Sequence, residues 1–459
     1  MEKKVITMEE VPINRFHYKM FAYAAGSTFV DGYVIGIIAV ALSLMQRQFE
    51  MSVTTVGLVG MATLAGMFVG GMIGGYFTDL IGRKKMFLID MLILLIVSIL
   101  QYFIATPVQL VILRFILGIA IGADYPIAGA LMAEFAPRKN RGQLLGGLNG
   151  FWYIGYAISY VVGYFLLYLG DSSWRWMLSS SAVPVALLLL ARLNMPESPR
   201  WLASKGREDE AKAIIQKIFG DNVVMSQDEE TEEKSKFLDI FRDGYGKWIF
   251  FVSAFWSFSV IPTFAMGTYI PEVIARFGFA DGTTEYLGSA LINIIYLVGL
   301  IPILHLIEKY GRRPTLIVPF FVASIALFLL GIASNYNLPF GVILFLFVLY
   351  GAFNTAMGAH QWVYPNELFP TRIRGTAMGF MTGFTRIVSA ISTFLFPIIL
   401  ESFGLGVTMY LCSGIMFLGF LVSYIMAPET KGMSLAEASS ITNSNHSVRS
   451  LKSDQTMNG

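Results

Sequence analysis

The chain alternates between long apolar runs and short polar gaps. Each apolar run has roughly 18 to 28 residues, enough to cross about 30 Å of hydrocarbon as a helix that rises about 1.5 Å per residue. The short alternating strands of a β-barrel are not predicted. The pattern therefore predicts an all-α membrane protein with twelve transmembrane helices. The predicted spans lie at residues 20–46, 54–80, 86–105, 108–135, 141–169, 174–194, 247–275, 284–308, 314–334, 338–365, 374–401 and 406–427.

One long polar interruption and one polar tail divide the chain further. The interruption begins "PRWLASKGREDEAKAIIQKIFG", with helical periodicity and mixed charges. The tail is rich in Ser, Asn and Thr, a composition typical of disorder. We predict an N-terminal six-helix bundle at 1–198, a cytoplasmic helical linker at 199–246, a C-terminal six-helix bundle at 247–435 and a disordered cytoplasmic tail at 436–459.

Composition supports the membrane assignment and excludes several functions. Of 459 residues, 55% are hydrophobic and 14% are charged, and the mean hydropathy is +0.62, which is too apolar for a soluble protein of this size. The single Cys412 excludes an internal disulfide. The N-terminus has no removable signal peptide, so the first helix is the predicted insertion signal. With no phosphate-binding loop and no metal-ligand cluster, we expect neither an enzyme nor a cofactor or metal, and no nucleic-acid partner.

Basic residues lie in alternate gaps and predict the orientation. Lys3, Lys4, Arg15 and Lys19, "GRKK" at 82, "RKNR" at 138, the 200–247 segment, "GRR" at 311 and "TRIR" at 371 all fall on one side. The positive-inside rule makes that side cytoplasmic. We therefore predict a multi-pass plasma-membrane protein, in bacteria an inner-membrane protein, with both termini in the cytoplasm.

The two halves of the sequence resemble each other. "AEFAPRKNRGQLLGGLNG" from 133 and "NELFPTRIRGTAMGFMTG" from 366 align at a shift of 233 residues. A similar shift pairs "PESP" at 196 with "PETK" at 428, and a slightly smaller one pairs "TDLIGRKK" at 78 with "IEKYGRRP" at 307. Two pseudo-symmetric bundles in parallel orientation are typical of transporters that work by alternating access. The glycines spaced by four in the first pair predict close helix approach.

These motifs resemble the major facilitator superfamily over nearly the whole chain. Residues 75–85 match its G-x-x-x-D-x-x-G-R-[KR]-[KR] loop, and "WRWM" at 174, "PESPRWL" at 196 and "PETKG" at 428 look like the sugar porter family and its metabolite-transporting relatives. The resemblance implies the fold of that superfamily. It also implies a cytoplasmic charge latch that clamps the halves together, formed by Asp79, Arg83, Glu134, Arg141, Glu308, Arg312, Glu367 and Arg374. For the basic residues, topology alone is the competing explanation.

Two aspartates interrupt apolar spans near the middle of the membrane. At about 1.5 Å per residue, Asp31 lies about 16 Å into span one and Asp124 about 24 Å into span four. A charge at that depth is costly unless it is hydrated, paired or protonated. We predict that Asp31 and Asp124 form a proton-coupling site with Arg114 as the counter-charge; a static ion pair is the alternative. Asp31 and Arg114 match the Asp and Arg of proton-coupled sugar porters, whereas "GADYP" resembles phosphate symporters.

Polar and aromatic side chains on other spans are candidates for solute binding. Amides and hydroxyls beside aromatic faces suit a polyol, whereas the guanidinium of Arg386, about 18 Å into span eleven, suits an anion. For most of the aromatics, lipid contact or helix packing is the competing explanation. The predicted set is Asn149, Trp152, Tyr156, Trp256, Asn293, Asn354, Gln361 and Arg386.

The sequence therefore predicts a secondary active transporter that carries a sugar or related small metabolite with protons. An organic-acid or phosphate symporter and an uncoupled facilitator remain alternatives, and a transporter-like nutrient sensor is a more remote one. Export is also compatible with two aspartates at the midplane. The expected partners are the solute, protons and the lipid bilayer, and the expected state is a monomer.

Overall fold

A computed structural model describes most of the chain. It covers residues 6–137, 140–225, 237–242, 244–278, 311–336 and 338–431, with single positions between 288 and 310 and at Met433 and Ala438. The side chains of Asp79, Glu134, Arg141 and Asn149 lie outside the description, as do Asn293 and Glu308 entirely.

Helices dominate the part of the chain described. Two short strands, β1 (Ile6–Thr7) and β2 (Val223–Val224), pair in parallel. The helices are α1 (Arg15–Gln48), α2 (Val53–Ile81), α3 (Arg83–Leu100), α4 (Pro107–Phe135), α5 (Arg141–Leu166), α6 (Ser173–Ser180), α7 (Ala182–Arg192), α8 (Pro199–Ser204), α9 (Glu208–Phe219), α10 (Gly246–Arg276), α11 (Arg312–Ala333), α12 (Phe340–Leu368) and α13 (Thr371–Met426).

Helix starts follow from local sequence signals. The Asn14 side chain accepts the N–H groups of Phe16 and His17 at the start of α1. Ser52 does the same for Thr55 in α2, and Thr106 caps α4 directly before Pro107. These side chains satisfy N–H groups that have no partner within the helix, and proline is preorganised for the first helical position.

The predicted spans agree with the observed helices, with two differences. Among the described residues, ten helical segments are long and apolar enough to cross a membrane. Span six is interrupted at Ser181, between α6 and α7. Spans eleven and twelve, predicted as separate helices, meet without a loop in α13 at a kink at Gly404 (φ 79°), inside the gap predicted between them. The span predicted at 284–308 lies almost wholly outside the described residues.

Packing within the bundles depends on glycine at a few positions. In the first half α1 packs on α5 and α2 on α4, and in the second half α11 packs on α12. A Cβ added to Gly32 would lie 2.0 Å from the Trp152 carbonyl oxygen, so α1 and α5 meet backbone to backbone there. The close approach predicted for the repeated glycines is not found at Gly375 and Gly379, where a Cβ would meet none of the described residues within 4 Å.

Residue contacts group the chain into two compact units. The first comprises Met1–Glu230, Phe264–Ile294 and Ser389–Gly404, and the second comprises Thr231–Thr263, Ile295–Val388 and Leu405–Gly459. The predicted boundaries at 198, 246 and 435 remain predictions.

Candidate functional site

The three charged residues predicted to lie inside the first bundle are buried. Asp31 on α1 and Asp124 on α4 have no exposed surface, and Arg114 is 1% exposed. Helix α1 packs against α4 as well as α5. The side chains are therefore enclosed by apolar helices, as their position along the spans indicates.

The counter-charge of Asp124 comes from a residue that sequence reasoning missed. Arg192 Nη1 lies 3.9 Å from Asp124 Oδ1, and both side chains have zero exposure. The Arg192 guanidinium also lies 4.1 Å from the centre of the Phe87 ring and donates to the Tyr23 carbonyl and the Ser27 hydroxyl. Stacking and several acceptors are what a buried guanidinium requires.

The role predicted for Arg114, the counter-charge of Asp31 and Asp124, stays a prediction. Its electrostatic neighbour is the Tyr269 side chain on α10. Arg192 is the last residue of α7. A basic residue at the end of a membrane-spanning helix usually lies at the membrane surface, so the sequence did not predict that the Arg192 side chain would be buried inside the bundle. The apolar residues on both sides of it, "LLLLARL", are the signal in the sequence.

A third carboxyl group joins this region. Asp90 on α3 is 1% exposed and lies within interaction distance of both Asp124 and Arg192. Asp31 also interacts electrostatically with Arg192. We call Asp31, Asp90, Asp124 and Arg192 the charge cluster. In the sequence, Asp90 is the single acidic residue of the apolar stretch "MFLIDMLILL", and this isolation could have indicated a buried carboxyl group.

The charge cluster contains three acids and one base. Within the described part of the chain no group of three His, Cys, Asp or Glu residues is arranged to hold a metal ion. Fully ionised, the cluster would hold two uncompensated negative charges in an apolar interior, which is strongly unfavourable. Protons can supply the balance.

Two candidate solute-binding residues of the first half lie next to the charge cluster. The Trp152 and Tyr156 rings on α5 stack with centroids 5.1 Å apart and planes at 18°. Trp152 is half-buried, and its backbone touches Gly32, directly after Asp31. The α5 backbone at Trp152 thus meets α1 at the residue that follows Asp31.

In the second half, the predicted polar residues connect α10 and α12. Asn354 Nδ2 donates to Thr263 Oγ1 over 2.7 Å, and Gln361 Nε2 donates to Ser259 Oγ over 2.9 Å. Trp256, on the same face of α10 as Ser259 and Thr263 by helical spacing, is 6% exposed. Arg386 is half-buried on α13. The predicted positions of Asn149 and Asn293 cannot be compared, because both side chains fall outside the description.

A kink in α10 forms a second polar contact in the first unit. Tyr269 has non-helical backbone angles, φ −120° and ψ 17°. Its hydroxyl lies 3.3 Å from the Val56 carbonyl and 3.2 Å from the Thr393 carbonyl, and its ring stacks on Phe396 with centroids 5.5 Å apart. Tyr269 thereby joins α2, α10 and α13 beside Arg114.

Three residues of the predicted latch make contacts within the second half. Arg312 Nη2 lies 3.1 Å from Glu367 Oε1, and Glu367 also accepts a hydrogen bond from the Thr430 hydroxyl. Arg374 Nε donates to the Phe369 carbonyl. Arg83 begins α3 and is half-buried. Asp79, Glu134, Arg141 and Glu308 lie outside the described side chains, so their role in the latch stays a prediction.

Two glutamates in the repeated "PES" and "PET" motifs cap helices, and sequence reasoning did not assign them a role. Glu197 accepts the Lys84 N–H over 3.1 Å at the start of α3. Glu429 accepts the Arg312 N–H over 2.9 Å and the Arg313 N–H over 3.2 Å at the start of α11. A carboxylate at a helix N-terminus is favourable. The repeat is therefore visible as equivalent contacts.

The Glu429 carboxylate is stabilised in its ionised form. Partial burial raises its pKa, but the N–H groups of Arg312, Lys431, Arg313 and Thr430 outweigh that effect and hold the pKa below the ordinary value. The preceding Gly311 has a φ of 97°, and a Cβ there would lie 2.4 Å from Glu429 Oε2. Glycine is required both for the backbone angle and for the close approach.

Comparison with known proteins matches nearly the whole chain. A family model described as sugar (and other) transporter covers residues 19–441. The chain is 38% identical over 434 residues to YaaU of Escherichia coli, a protein named for metabolite transport, covering 95% of this chain and 97% of that one. It is 34% identical over 451 residues to the inner membrane metabolite transport protein YgcS of the same species, covering 98% and 100%.

The structure is also similar to a solved structure. The partially occluded, inward-open xylose transporter XylE from E. coli matches with a TM-score of 0.79 at 23% identity, over 92% of this chain and 100% of that one. This likeness confirms the predicted fold class, the twelve-helix fold of the major facilitator superfamily.

Proposed function

The chain belongs to the sugar (and other) transporter family, and we propose that it couples transport of a sugar or related small metabolite to protons by alternating access. The observation that carries the proton coupling is the buried Asp124–Arg192 pair, with Asp31 next to it. Family membership supports transport rather than enzymatic catalysis.

The charge cluster is suited to carry a proton. An ion pair enclosed by apolar helices is often no more stable than a well-packed apolar core, and intramembrane charges are generally functional. Uptake of a proton by Asp31 or Asp124 removes a negative charge and weakens its attraction to Arg192. Such a change can shift the balance between two conformations of a carrier.

The solute we favour is a polyol. Trp152 and Tyr156 offer aromatic faces that can stack on the C–H face of a sugar ring. Asn354 and Gln361 offer amides that can exchange their bonds with Thr263 and Ser259 for bonds to sugar hydroxyls.

An organic acid is the second candidate. Arg386 is half-buried within α13, and a guanidinium inside the membrane favours a carboxylate or phosphate. Phosphate itself is less favoured, since α10 has no carboxylate near Trp256. If the solute is an organic acid, Arg386 binds its acid group, and Asp31 and Asp124 still bind the proton.

The remaining proposals concern the cellular location and the oligomeric state of the protein. The many apolar helices and the inner-membrane relative support a bacterial inner-membrane protein, and the basic gaps support cytoplasmic termini. Since one chain carries both repeats, we propose a monomer.

An uncoupled facilitator and a nutrient sensor are the competing functions. Deletion of residues 436–459 should leave transport intact in a carrier and remove signalling in a sensor.

Transport by the purified full chain in proteoliposomes tests the proposal. An inward proton gradient is imposed, and hexoses, pentoses, polyols, sugar acids, aromatic acids and phosphate are offered with a pH dye inside. We expect one polyol to accumulate and to acidify the interior. Equilibration without accumulation or acidification would instead identify a facilitator, and accumulation driven only by an outward-directed solute gradient would identify exchange.

A further inference from the structure

Asp90 has the surroundings of a functional carboxyl group. It lies on α3 among Phe87, Met91 and Leu94, none of which has exposed surface. Its Oδ1 accepts the Met91 N–H over 2.6 Å. Its Oδ2 is enclosed, and within the part of the chain that the structure describes no N–H or O–H group donates a hydrogen bond to it. A buried polar atom without a partner is rare and needs an explanation.

The group that faces Asp90 is another carboxyl. The Arg192 guanidinium lies 3.9 Å from Asp124 and 4.1 Å from the centre of the Phe87 ring, one helical turn before Asp90 on α3. The side chains of Asp90 and Asp124 therefore gather around one guanidinium and interact with each other. An ionised carboxylate can only accept a hydrogen bond, so two ionised groups have no bond to make. Two carboxyl groups that close in a low-dielectric interior cannot both keep their charge. A single proton between them supplies the donor and removes one of the two uncompensated negative charges.

We propose that Asp90 and Asp124 share one proton, which makes Asp90 a further proton-binding residue of this transporter. The charged groups around the pair are Arg192 on α7 and, through Arg192, Asp31 on α1. Ser27 on α1 also contacts Asp124.

The shared proton leaves one negative charge in the charge cluster. Asp31 and the Asp90–Asp124 pair then carry one negative charge each, and Arg192 compensates one of them. The remaining charge can be neutralised by one further proton, whose natural site is Asp31. This step rests on the proposed proton coupling, whereas the shared proton itself does not.

Infrared spectroscopy of the purified full chain tests the shared proton directly. A neutral carboxyl group has a C=O stretch that is separate from the carboxylate bands and shifts in D₂O. We expect the wild type to show this band at neutral pH, Asp90→Asn and Asp124→Asn each to lose it, and Asp31→Asn to keep it. Asp90→Glu should restore a protonated pair.

The matched control is Glu272→Gln. Glu272 lies outside the charge cluster, and its partner Arg276 keeps a second carboxylate, that of Glu401. Glu272→Gln should keep the band. Absence of the band in the wild type, or its persistence in both Asp90→Asn and Asp124→Asn, would overturn the proposal.

Transport separates this proposal from the proposed function. Uptake by Asp90→Asn should lose its dependence on pH, while Asp90→Glu and Glu272→Gln should retain it. A wild type that transports without protons but shows the infrared band would contradict the proposed coupling and keep the carboxyl pair. A coupled wild type with an unchanged Asp90→Asn pH profile and an unchanged band would contradict the pair alone.

Discussion

Arg192 Nη1 lies 3.9 Å from Asp124 Oδ1, with both side chains completely excluded from solvent. The two residues belong to different helices, α7 and α4, and lie 68 residues apart in the sequence. The contact places a fixed positive charge beside the acids of α1, α3 and α4. It is the basis of the first two predictions.

Asp31→Asn and Asp124→Asn should each abolish proton-driven accumulation while leaving solute exchange measurable. The amide keeps the shape of the carboxyl but cannot gain and lose the proton. Counterflow of labelled solute at equal pH measures exchange, and uptake under a proton gradient measures coupling. If both variants keep full coupled uptake, the assignment of these residues to proton coupling is wrong.

Arg192→Gln should destabilise the folded protein by about 3–5 kcal/mol, because it leaves a buried acid without its counter-charge. Thermal unfolding in detergent measures the loss. Arg207→Gln is the control, since Arg207 is 47% exposed and its pair with Glu210 is solvated, so this change should have little effect on the free energy of unfolding. Arg192→Gln combined with Asp124→Asn should cost less than the sum of the two changes. Strict additivity would mean that the pair does not interact.

Arg386→Gln should change solute selectivity. For an anionic solute, loss of a charge-assisted hydrogen bond should weaken binding by about 1.5–3 kcal/mol, roughly tenfold to a hundredfold. A neutral sugar should be much less affected. Thermal shift against sugars and sugar acids gives the ratio of the two affinities. An equal effect on both classes would assign Arg386 to structure.

Gly32→Ala should destabilise the first bundle and reduce transport. The added Cβ would lie 2.0 Å from the Trp152 carbonyl oxygen, so α1 and α5 must separate beside Asp31. We expect a loss of about 1–3 kcal/mol in thermal unfolding. Gly414→Ala makes the same change where none of the described residues lies within 4 Å and should be neutral or slightly stabilising. Equal melting temperatures for the two variants would contradict the close approach.

Glu429→Gln should weaken the start of α11 and reduce the acid sensitivity of the protein. Because the folded-state pKa of Glu429 is lowered, its stabilisation is complete above the ordinary glutamate pKa of about 4.3 and is lost as the pH falls through the lowered value. The effect should be on the order of 1 kcal/mol or less, since the carboxylate is largely solvated. The difference in melting temperature between wild type and variant should therefore shrink as the pH falls from 6 to 3. A constant difference would mean that the carboxylate charge is not what stabilises the helix.

Most of the fold follows from local sequence. The bounds of α1, α2, α4 and α10 agree with the apolar runs to within a few residues, because an uninterrupted apolar run in a bilayer must satisfy its own backbone hydrogen bonds as a helix. The positive φ of Gly404 lies in the gap predicted between residues 401 and 406, whereas the break at Ser181 lies inside a predicted span and was not predicted.

The site was only partly predictable. The burial of Asp31, Asp124 and Arg114 follows from their distance along an apolar helix. The residues that interact with Asp124 could not be predicted in this way. Arg192 and Asp90 lie 68 and 34 residues from Asp124, and nothing in their own helices indicates which neighbour they face. Glu197 and Glu429 show the same limit, since the repeat marks them but only helix packing brings them to the starts of α3 and α11.

The sequence by itself determined that this is a twelve-helix membrane transporter of two similar halves, with acids inside spans one and four. Those features depend on hydropathy, spacing and motif, which are properties of consecutive residues. Tertiary structure alone decided that Arg192 faces Asp124 and that Asp90 joins the charge cluster. The physical reason is that a buried charge is stabilised by whichever group packing brings within a few ångströms, and that choice depends on helix rotation and contact rather than on sequence order.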